Sequence, residues 1–305
     1  MMIEYEAVRG RGAGLIDLSS SRGRIRVSGS EATMFLNGLI TNDIKNATED
    51  SWLPAAFPTV QGRLIAAVRI LKLDDGFLID TEAASHEGVL KTISRFTMAG
   101  DFRVTDISNE MALLTVQGKR AGEVIKGLDA KVVRATHTGE DGFDLLVDAD
   151  DVASVTEKLV AAGAQPVSSE VFEMLRIEAG IPYHGQDMDE TTIVLEANLD
   201  DAISYTKGCY VGQEIIIRIK HRGHVAKRLS GFRFHEPVEP GEVITSIDGK
   251  EIGRVTSATY SPDLESPIAL GYVRYEYLAP GTAVKVDDIS GTVVELPFVR
   301  GSWHE

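Results

Sequence analysis

Lys207-Gly208-Cys209-Tyr210-Val211-Gly212-Gln213-Glu214 is the stretch from which the rest of the chain is read. It holds the sole cysteine among 305 residues and sets it between two glycines. The thiolate is the reactive form of cysteine, and the Lys207 ammonium two positions away favours it, because nearby cations lower a thiol pKa from about 8.5. Gly208 and Gly212 allow positive φ or close backbone approach, which suits a thiol on a turn at a cleft. The β-branched Ile215, Ile216 and Ile217 then predict a strand leaving the turn. The competing reading makes Cys209 a small buried hydrophobe, where most free cysteines are found. Spacing alone leaves both open.

Outward from the octet the charge changes sign. Asp187, Asp189, Glu190, Glu196, Asp200 and Asp201 precede it with no lysine or arginine from 187 to 201. Arg218, Lys220, Arg222, Lys227 and Arg228 follow it with no acid from 218 to 228. Two solvated faces of opposite sign are one reading, since charge runs usually decorate surfaces. The functional reading is a ligand that spans both signs.

The composition sets the class. A length of 305 residues argues for two or three lobes. A net charge of −15 disfavours a general binder of nucleic acid or of anionic membrane. No apolar run approaches the roughly 20 residues that span a bilayer, and Met1 to Glu6 lacks the basic and apolar regions of a secretory signal. One cysteine excludes an intramolecular disulfide. The expectation is a reduced, acidic, cytoplasmic protein.

Arg24 to Ser28 alternates as a half-buried strand, and Ser30 is placed to cap a helix carrying Ala32, Phe35, Leu36 and Leu39. Thr41-Asn42-Asp43 forms a polar knot beyond it. Arg63 to Leu73 reads as a central strand, with Asp74-Asp75-Gly76 a hairpin signal before Phe77 to Asp80. A helix with Val89, Leu90 and Ile93 on one face follows. Glu140-Asp141-Gly142-Phe143, a strand from Asp144 to Val147 and a helix capped by Asp150 or Asp151 repeat the scheme, which suggests a duplicated α+β unit. Ser169 is placed to cap a helix with Val171, Met174 and Leu175 on one face, ended by Gly180 and Pro182. Beyond Lys227, short apolar strands at Leu229–Phe234, Val243–Thr245, Ile268–Val273, Ala283–Val286 and Thr292–Leu296, separated by Pro-Gly and Asp-Gly turns, predict a small β-barrel. The expected division is 1–226 and 227–305.

Lys-Gly-Cys-Tyr-x-Gly-Gln-Glu followed by Arg218 resembles the signature of the YgfZ family of folate-binding proteins, relatives of the glycine cleavage T protein. The resemblance runs more loosely from Asp17 to Val299 and takes in Thr41-Asn42-Asp43, Gln61-Gly62-Arg63, Arg176 to Gly185, Leu270-Gly271 and Leu296-Pro297-Phe298. It implies an α+β fold of two ferredoxin-like units plus a C-terminal β-barrel, and a bound tetrahydrofolate or other reduced folate. It further implies a part in synthesis or repair of iron–sulfur clusters in other enzymes, some of them tRNA-modifying. Client or assembly proteins are then the expected partners, with no direct contact to nucleic acid or membrane. Cys209 and Lys207 become the working thiol and its activator, with Gly208, Tyr210, Gly212, Gln213, Glu214 and Arg218 completing the motif. Glu196, Glu190, Arg63, Asn42, Arg176 and Tyr183 become candidate folate contacts.

A folate suits the charge seam: a carboxylate accepts the paired N–H groups of the aminopyrimidine, and a guanidinium or ammonium meets the glutamate tail. T proteins place a catalytic aspartate after a glycine pair on an early strand. This chain has Gln61-Gly62-Arg63-Leu64 there and no acid, which argues against aminomethyl transfer. A folate-dependent aminomethyltransferase or demethylase is the alternative activity, and a folate-binding regulator that tolerates loss of the thiol is a third class. Gly10-Arg11-Gly12-Ala13-Gly14 lacks the spacing of a dinucleotide fingerprint. His221 and His224 lack further metal ligands. Nothing names the oxyanion hole or orienting acid of a Cys/His hydrolase.

Overall fold

Asp74 and Asp75 turn the chain back sharply, and the strands on either side, Leu64–Leu73 and Gly76–Glu82, pair antiparallel from Val68 with Thr81 to Leu73 with Gly76. The computed structural model, which describes residues 1–98 and 100–304, builds a five-stranded sheet around this hairpin. Its order is Leu53–Pro58, Leu64–Leu73, Gly76–Glu82, Arg22–Ser28, Arg103–Asp106, with every pair antiparallel. Alternation sends Ile25, Val27, Val68, Ile70 and Ile79 to one face, where they pack on Leu36 and Leu39 of helix Ala32–Leu39 and on Val89 and Ile93 of helix Ala83–Ser94.

The second unit repeats the plan. Its sheet runs Gln165–Pro166, Gly14–Asp17, Met111–Gln117, Gly142–Asp148, Lys131–Arg134, and only the first pair is parallel. Leu114, Val116, Leu145 and Val147 pack on Val155 and Leu159 of helix Val152–Ala161. The units interleave along the chain, because Gly14–Asp17 belongs to the second sheet and precedes every strand of the first. The paired Asp-Gly turns in the sequence give no sign of this crossover.

The opposite faces of the two sheets meet each other. Ile16, Leu18, Leu71, Leu78, Leu113 and Leu146 share one apolar cluster there. Beside it Arg69 bridges the sheets, donating to Asp80 at 2.7 Å and to Asp144 at 2.8 Å. His137 and Trp52 complete the shell of Asp144. Burial pushes the Asp144 carboxyl up, but Arg69 and His137 outweigh it and hold the group below the usual carboxylate range.

From Lys227 the chain forms a closed antiparallel barrel in the order Lys227–Phe234, Ser266–Arg274, Glu251–Ser261, Val243–Ser246, Ala283–Val286, Ile289–Val294. Five of these strands overlap the expected ones. The sixth, Glu251–Ser261, escapes the sequence pattern because a bulge between Val255 and Ser257 breaks its period of two. Two helix starts also differ from expectation. Glu31 rather than Ser30 precedes helix Ala32–Leu39, and Ser30 bonds Asp101 instead; Ser168 rather than Ser169 precedes helix Ser169–Glu178. No helix among the described residues is long and apolar enough to cross a membrane.

Helix Ser169–Glu178 fastens the barrel to the body. Arg176, 1% exposed, spends all five N–H donors on Glu173, Ile181 O, Asp187 and Ser257 Oγ. Asp187 accepts in turn from the barrel hydroxyls of Thr256 and Ser257. Glu178, fully buried, accepts from Tyr5 and Arg9 of the N-terminal helix Met2–Arg9 and from Ser261 of the barrel. The assignment of Arg176 to folate is therefore corrected, since its donors are exhausted within the protein. Removing one partner of a buried ion pair leaves the other charge uncompensated. Arg176→Met is expected to lower the unfolding free energy by about 3–5 kcal/mol, read from urea denaturation. A loss under about 1 kcal/mol would contradict this account of the junction.

Candidate functional site

The octet forms a turn leading into a helix, Gln213–Arg222, and the expected strand at Ile215 to Ile217 is corrected. Gly212 takes φ 77° at the N-cap and Gly223 takes φ 89° at the C-cap. Glu214 lies in the first turn, and Lys220, His221 and Arg222 lie in the last, which complements the helix dipole. Those signals outweigh the strand preference of three isoleucines. Gly212 is also sterically required, since a Cβ there would stand 2.4 Å from Thr59 O. Gly62, at φ 73°, brings its backbone against Ile215 in the same way. The Gln61-Gly62-Arg63 loop and the octet thus seat on each other.

Lys207 does not serve the thiol. Its ammonium donates to the carbonyl oxygens of Asn37, Ile40 and Asn42 at 2.6, 3.0 and 2.6 Å, clamping the C-terminal end of helix Ala32–Leu39. Burial pushes its pKa down to about 8, with Asp43 opposing. Its role is to fix the turn, so its assignment as the thiol's activator is corrected. Asn42 is likewise structural: its amide donates to Pro54 O and Asp201 O, and its Oδ1 accepts from Asp43 N. Thr41 Oγ1 donates to Ala202 O. The polar knot is the seat on which the 200–207 segment rests. Tyr210 is buried among Leu64, Val194 and Ile216. Gly208 and Cys209 are exposed, which removes the reading of Cys209 as a core hydrophobe.

Helical rather than extended backbone puts Ile215, Arg218, Ile219 and Arg222 on one face, and that face lines a cleft. Two adjoining cavities of 400 and 520 Å³ share Glu196, Arg222, His224, Val225 and Ala226 as walls. Ile193 and Arg218 complete one, and Lys227, Arg274, Tyr275 and Glu276 the other. Glu196 lies in the short turn Val194–Ala197 and accepts from Ile193 N at 3.3 Å. Burial raises its carboxyl above the ordinary range, against the Ile193 N–H, Lys227 and Arg63. Arg63 is exposed and bridges through its backbone to Ile193, which brings Gln61-Gly62-Arg63 to the same turn.

Glu196 and Arg218 therefore share a cleft, from opposite sides of the octet. Of the remaining bases, Arg228 pairs with Asp200 at 2.6 Å, while Arg218, Arg222 and Lys227 make no ion pair among the described residues. Glu190 is exposed and does not line this cleft. Tyr183 lies elsewhere, its hydroxyl 3.5 Å from Ser21 O. Neither is a wall of this cleft. Sequence reasoning missed Arg274 and Tyr275, which the barrel delivers from far along the chain. Tyr275 stacks on His224 with ring centroids 4.2 Å apart.

Two family descriptions match the chain: the GCVT N-terminal domain over residues 1–131 and 125–207, and the glycine cleavage T-protein C-terminal barrel domain over residues 227–300. A chloroplastic protein of Arabidopsis thaliana, named a transferase of unstated substrate, is 29% identical over 94% of this chain and 72% of its own length. An aminomethyltransferase of Rubrobacter xylanophilus is 32% identical over 97% of this chain and 86% of its own. Among solved structures, the glycine cleavage system aminomethyltransferase T of Bartonella henselae superposes with a TM-score of 0.88 at 23% identity, covering 98% of this chain and 89% of that one. That likeness carries the fold.

The geometry separates Cys209 from Lys207 experimentally. Cys209→Ala is expected to change stability by no more than about 0.5 kcal/mol, and iodoacetamide should modify the native thiol without denaturant. Lys207→Met strands three carbonyl oxygens and is expected to cost about 2–3 kcal/mol in urea melts. Equal effects of the two substitutions would contradict the clamp.

Proposed function

Because the chain belongs to the glycine cleavage T-protein family, we propose that it binds tetrahydrofolate, or another reduced folate, in the cleft between Glu196 and helix Gln213–Arg222. The observation that carries this reading is that a buried carboxylate and three bases with no ion pair among the described residues, Arg218, Arg222 and Lys227, bound adjoining cavities of ligand size. Glu196 accepts the N–H pair of the pterin, and the bases hold the carboxylates of the tail. The folate itself carries one-carbon units. Residues 1–226 form the folate-binding region in this reading and 227–305 the barrel, which closes one wall of the cleft.

The role of the bound folate is read from the octet. With Cys209 exposed on a clamped turn next to the helix that lines the cleft, we infer that it is the working thiol of a YgfZ-like cytoplasmic factor. Such a factor supports synthesis or repair of iron–sulfur clusters in other enzymes, including tRNA-modifying ones. The strand after Gly62, Leu64–Leu73, carries no acid to hold a substrate amine, which supports this reading over aminomethyl transfer. The second reading, a folate-dependent aminomethyltransferase or demethylase with Cys209 incidental, is favoured by the relatives that bear the aminomethyltransferase name along nearly the whole chain.

Calorimetry with tetrahydrofolate is expected to show saturable binding that weakens about 10-fold to 150-fold in Glu196→Gln. The pH dependence has a definite sign. The folded Glu196 pKa lies above its unfolded value, so its contribution to stability is present at low pH and lost as pH rises through the folded pKa. At pH 7 the charge is a cost, and Glu196→Gln should leave the ligand-free protein at least as stable as the wild type. Folate affinity should fall as the pH drops through the raised pKa. Wild-type affinity in Glu196→Gln would move the pterin elsewhere.

The two roles separate in cells lacking the native protein. Cys209→Ala is expected to keep folate affinity but fail to restore iron–sulfur enzyme activity, and the wild type should form no methylenetetrahydrofolate from aminomethylated carrier protein. Full complementation by Cys209→Ala together with robust transfer would establish the second reading.

A further inference from the structure

Three bases meet on the outer face of the barrel. Lys227 stands directly opposite Arg274 where strand Lys227–Phe234 pairs with Ser266–Arg274, and Arg254 stands directly opposite Tyr272 where Ser266–Arg274 pairs with Glu251–Ser261. Val273 points into the barrel core, so Tyr272 and Arg274 on either side of it share the outer face. Directly opposite residues hold their Cβ atoms about 5 Å apart and diagonal neighbours about 7–8 Å, within reach of long side chains. Lys227 Nζ lies 4.8 Å from the centre of the Tyr272 ring. Lys227, Arg254, Arg274 and Tyr272 are all walls of a single cavity of 210 Å³.

Like charges set directly opposite across a sheet repel one another, and here they cluster on a chain whose net charge is −15. Among the described residues none of the three bases makes an ion pair. Glu251 is the one acid in the wall, and it makes none either. Arg254 donates to Gly241 O at 2.5 Å, which orients its guanidinium through one of five N–H groups. With three bases against one acid, the cavity disfavours a cation or an amine and suits an anion. Its volume lies below the roughly 300–1,000 Å³ of a pocket for a whole small molecule, so the occupant is a single charged group. Guanidinium forks match the paired oxygens of a phosphate or a carboxylate, and the ammonium adds a point charge.

We propose that Lys227, Arg254 and Arg274 form a site for one oxyanion group, a phosphate or a carboxylate, beside the cavity that Glu196 lines. The two cavities adjoin, because Lys227 and Arg274 are walls of both. Two sources supply such a group: free phosphate, and a further γ-linked glutamate on the tail of a folate. The first stands without any folate, and the second rests on the folate reading given above. Arg254 separates this site from the folate cavities, since it lines neither of them.

The test is calorimetry on the full-length protein at constant ionic strength, with sodium phosphate, tetrahydrofolate monoglutamate and tetrahydrofolate triglutamate as separate titrants. Free phosphate as the source predicts saturable binding of one phosphate, weakened about 10-fold or more in Arg254→Gln. A tail carboxylate as the source predicts that the triglutamate binds the wild type about 10-fold or more tighter than the monoglutamate, and that Arg254→Gln binds the two equally. In both cases Arg254→Gln keeps the wild-type affinity for the monoglutamate. Arg254 is exposed, so the variant is expected to fold, and its urea midpoint checks this. Absence of both signals, or signals that Arg254→Gln leaves unchanged, would overturn the site. Monoglutamate binding with no gain from the added glutamates and no phosphate binding leaves the folate reading standing while this one falls.

Discussion

The ion pair between Arg176 and Asp187 is the contact on which the site's geometry rests. Desolvating two charges is expensive, and the expense is offset only because every donor of Arg176 and both oxygens of Asp187 are satisfied. Such a pair is strongly orienting. It holds helix Ser169–Glu178 against the barrel strand Glu251–Ser261 and fixes the start of the segment that leads to Glu196. Two residues along the same helix, Glu178 repeats the arrangement with Tyr5, Arg9 and Ser261. With the barrel locked to the body, Arg274 and Tyr275 have a defined position in the cavity that Glu196 also lines. The barrel walls the cavity that Lys227, Arg274, Tyr275 and Glu276 complete, while the adjoining cavity with Arg218 is built from residues 193–226 alone.

The octet solves a second positioning problem. A helix must present Ile215, Arg218, Ile219 and Arg222 to the cleft, yet its preceding turn must lie flat on the Thr59 to Arg63 loop. Gly212 permits the close approach, and the Lys207 ammonium anchors the turn to three carbonyl oxygens at the end of another helix. Cys209 is left outward between these two fixed points. Its exposure follows from the clamp rather than from any cavity of its own.

The α+β units and the barrel were legible because their signals are local: an Asp-Gly turn before an alternating strand, a helical stripe ending at glycine, Pro-Gly turns at short intervals. The interleaving of the two sheets was not, because pairing Gly14–Asp17 with Met111–Gln117 is a long-range event that leaves no periodic mark. The strand drawn through Ile215 to Ile217 failed for a different reason. The glycines at 212 and 223 and the acid-to-base gradient between them are stronger helix signals than side-chain branching is a strand signal. At the site, the sign change in charge marked only a stretch of six acids and five bases, and the family resemblance singled out Glu196, Glu190 and Arg218 within it. Arg176, Asn42 and Lys207 are polar residues of the same segments whose donors turned out to be consumed within the protein, and sequence alone cannot distinguish a spent donor from a free one. Arg274 and Tyr275 reach the cleft only through barrel closure.

A crystal structure of the protein grown with tetrahydrofolate tests the central claim most directly. The account predicts ligand density with the aminopyrimidine edge on Glu196 and the glutamate tail directed toward Arg218, Arg222 and Lys227. Density in another cavity, with the Glu196 cleft holding only solvent, would contradict it.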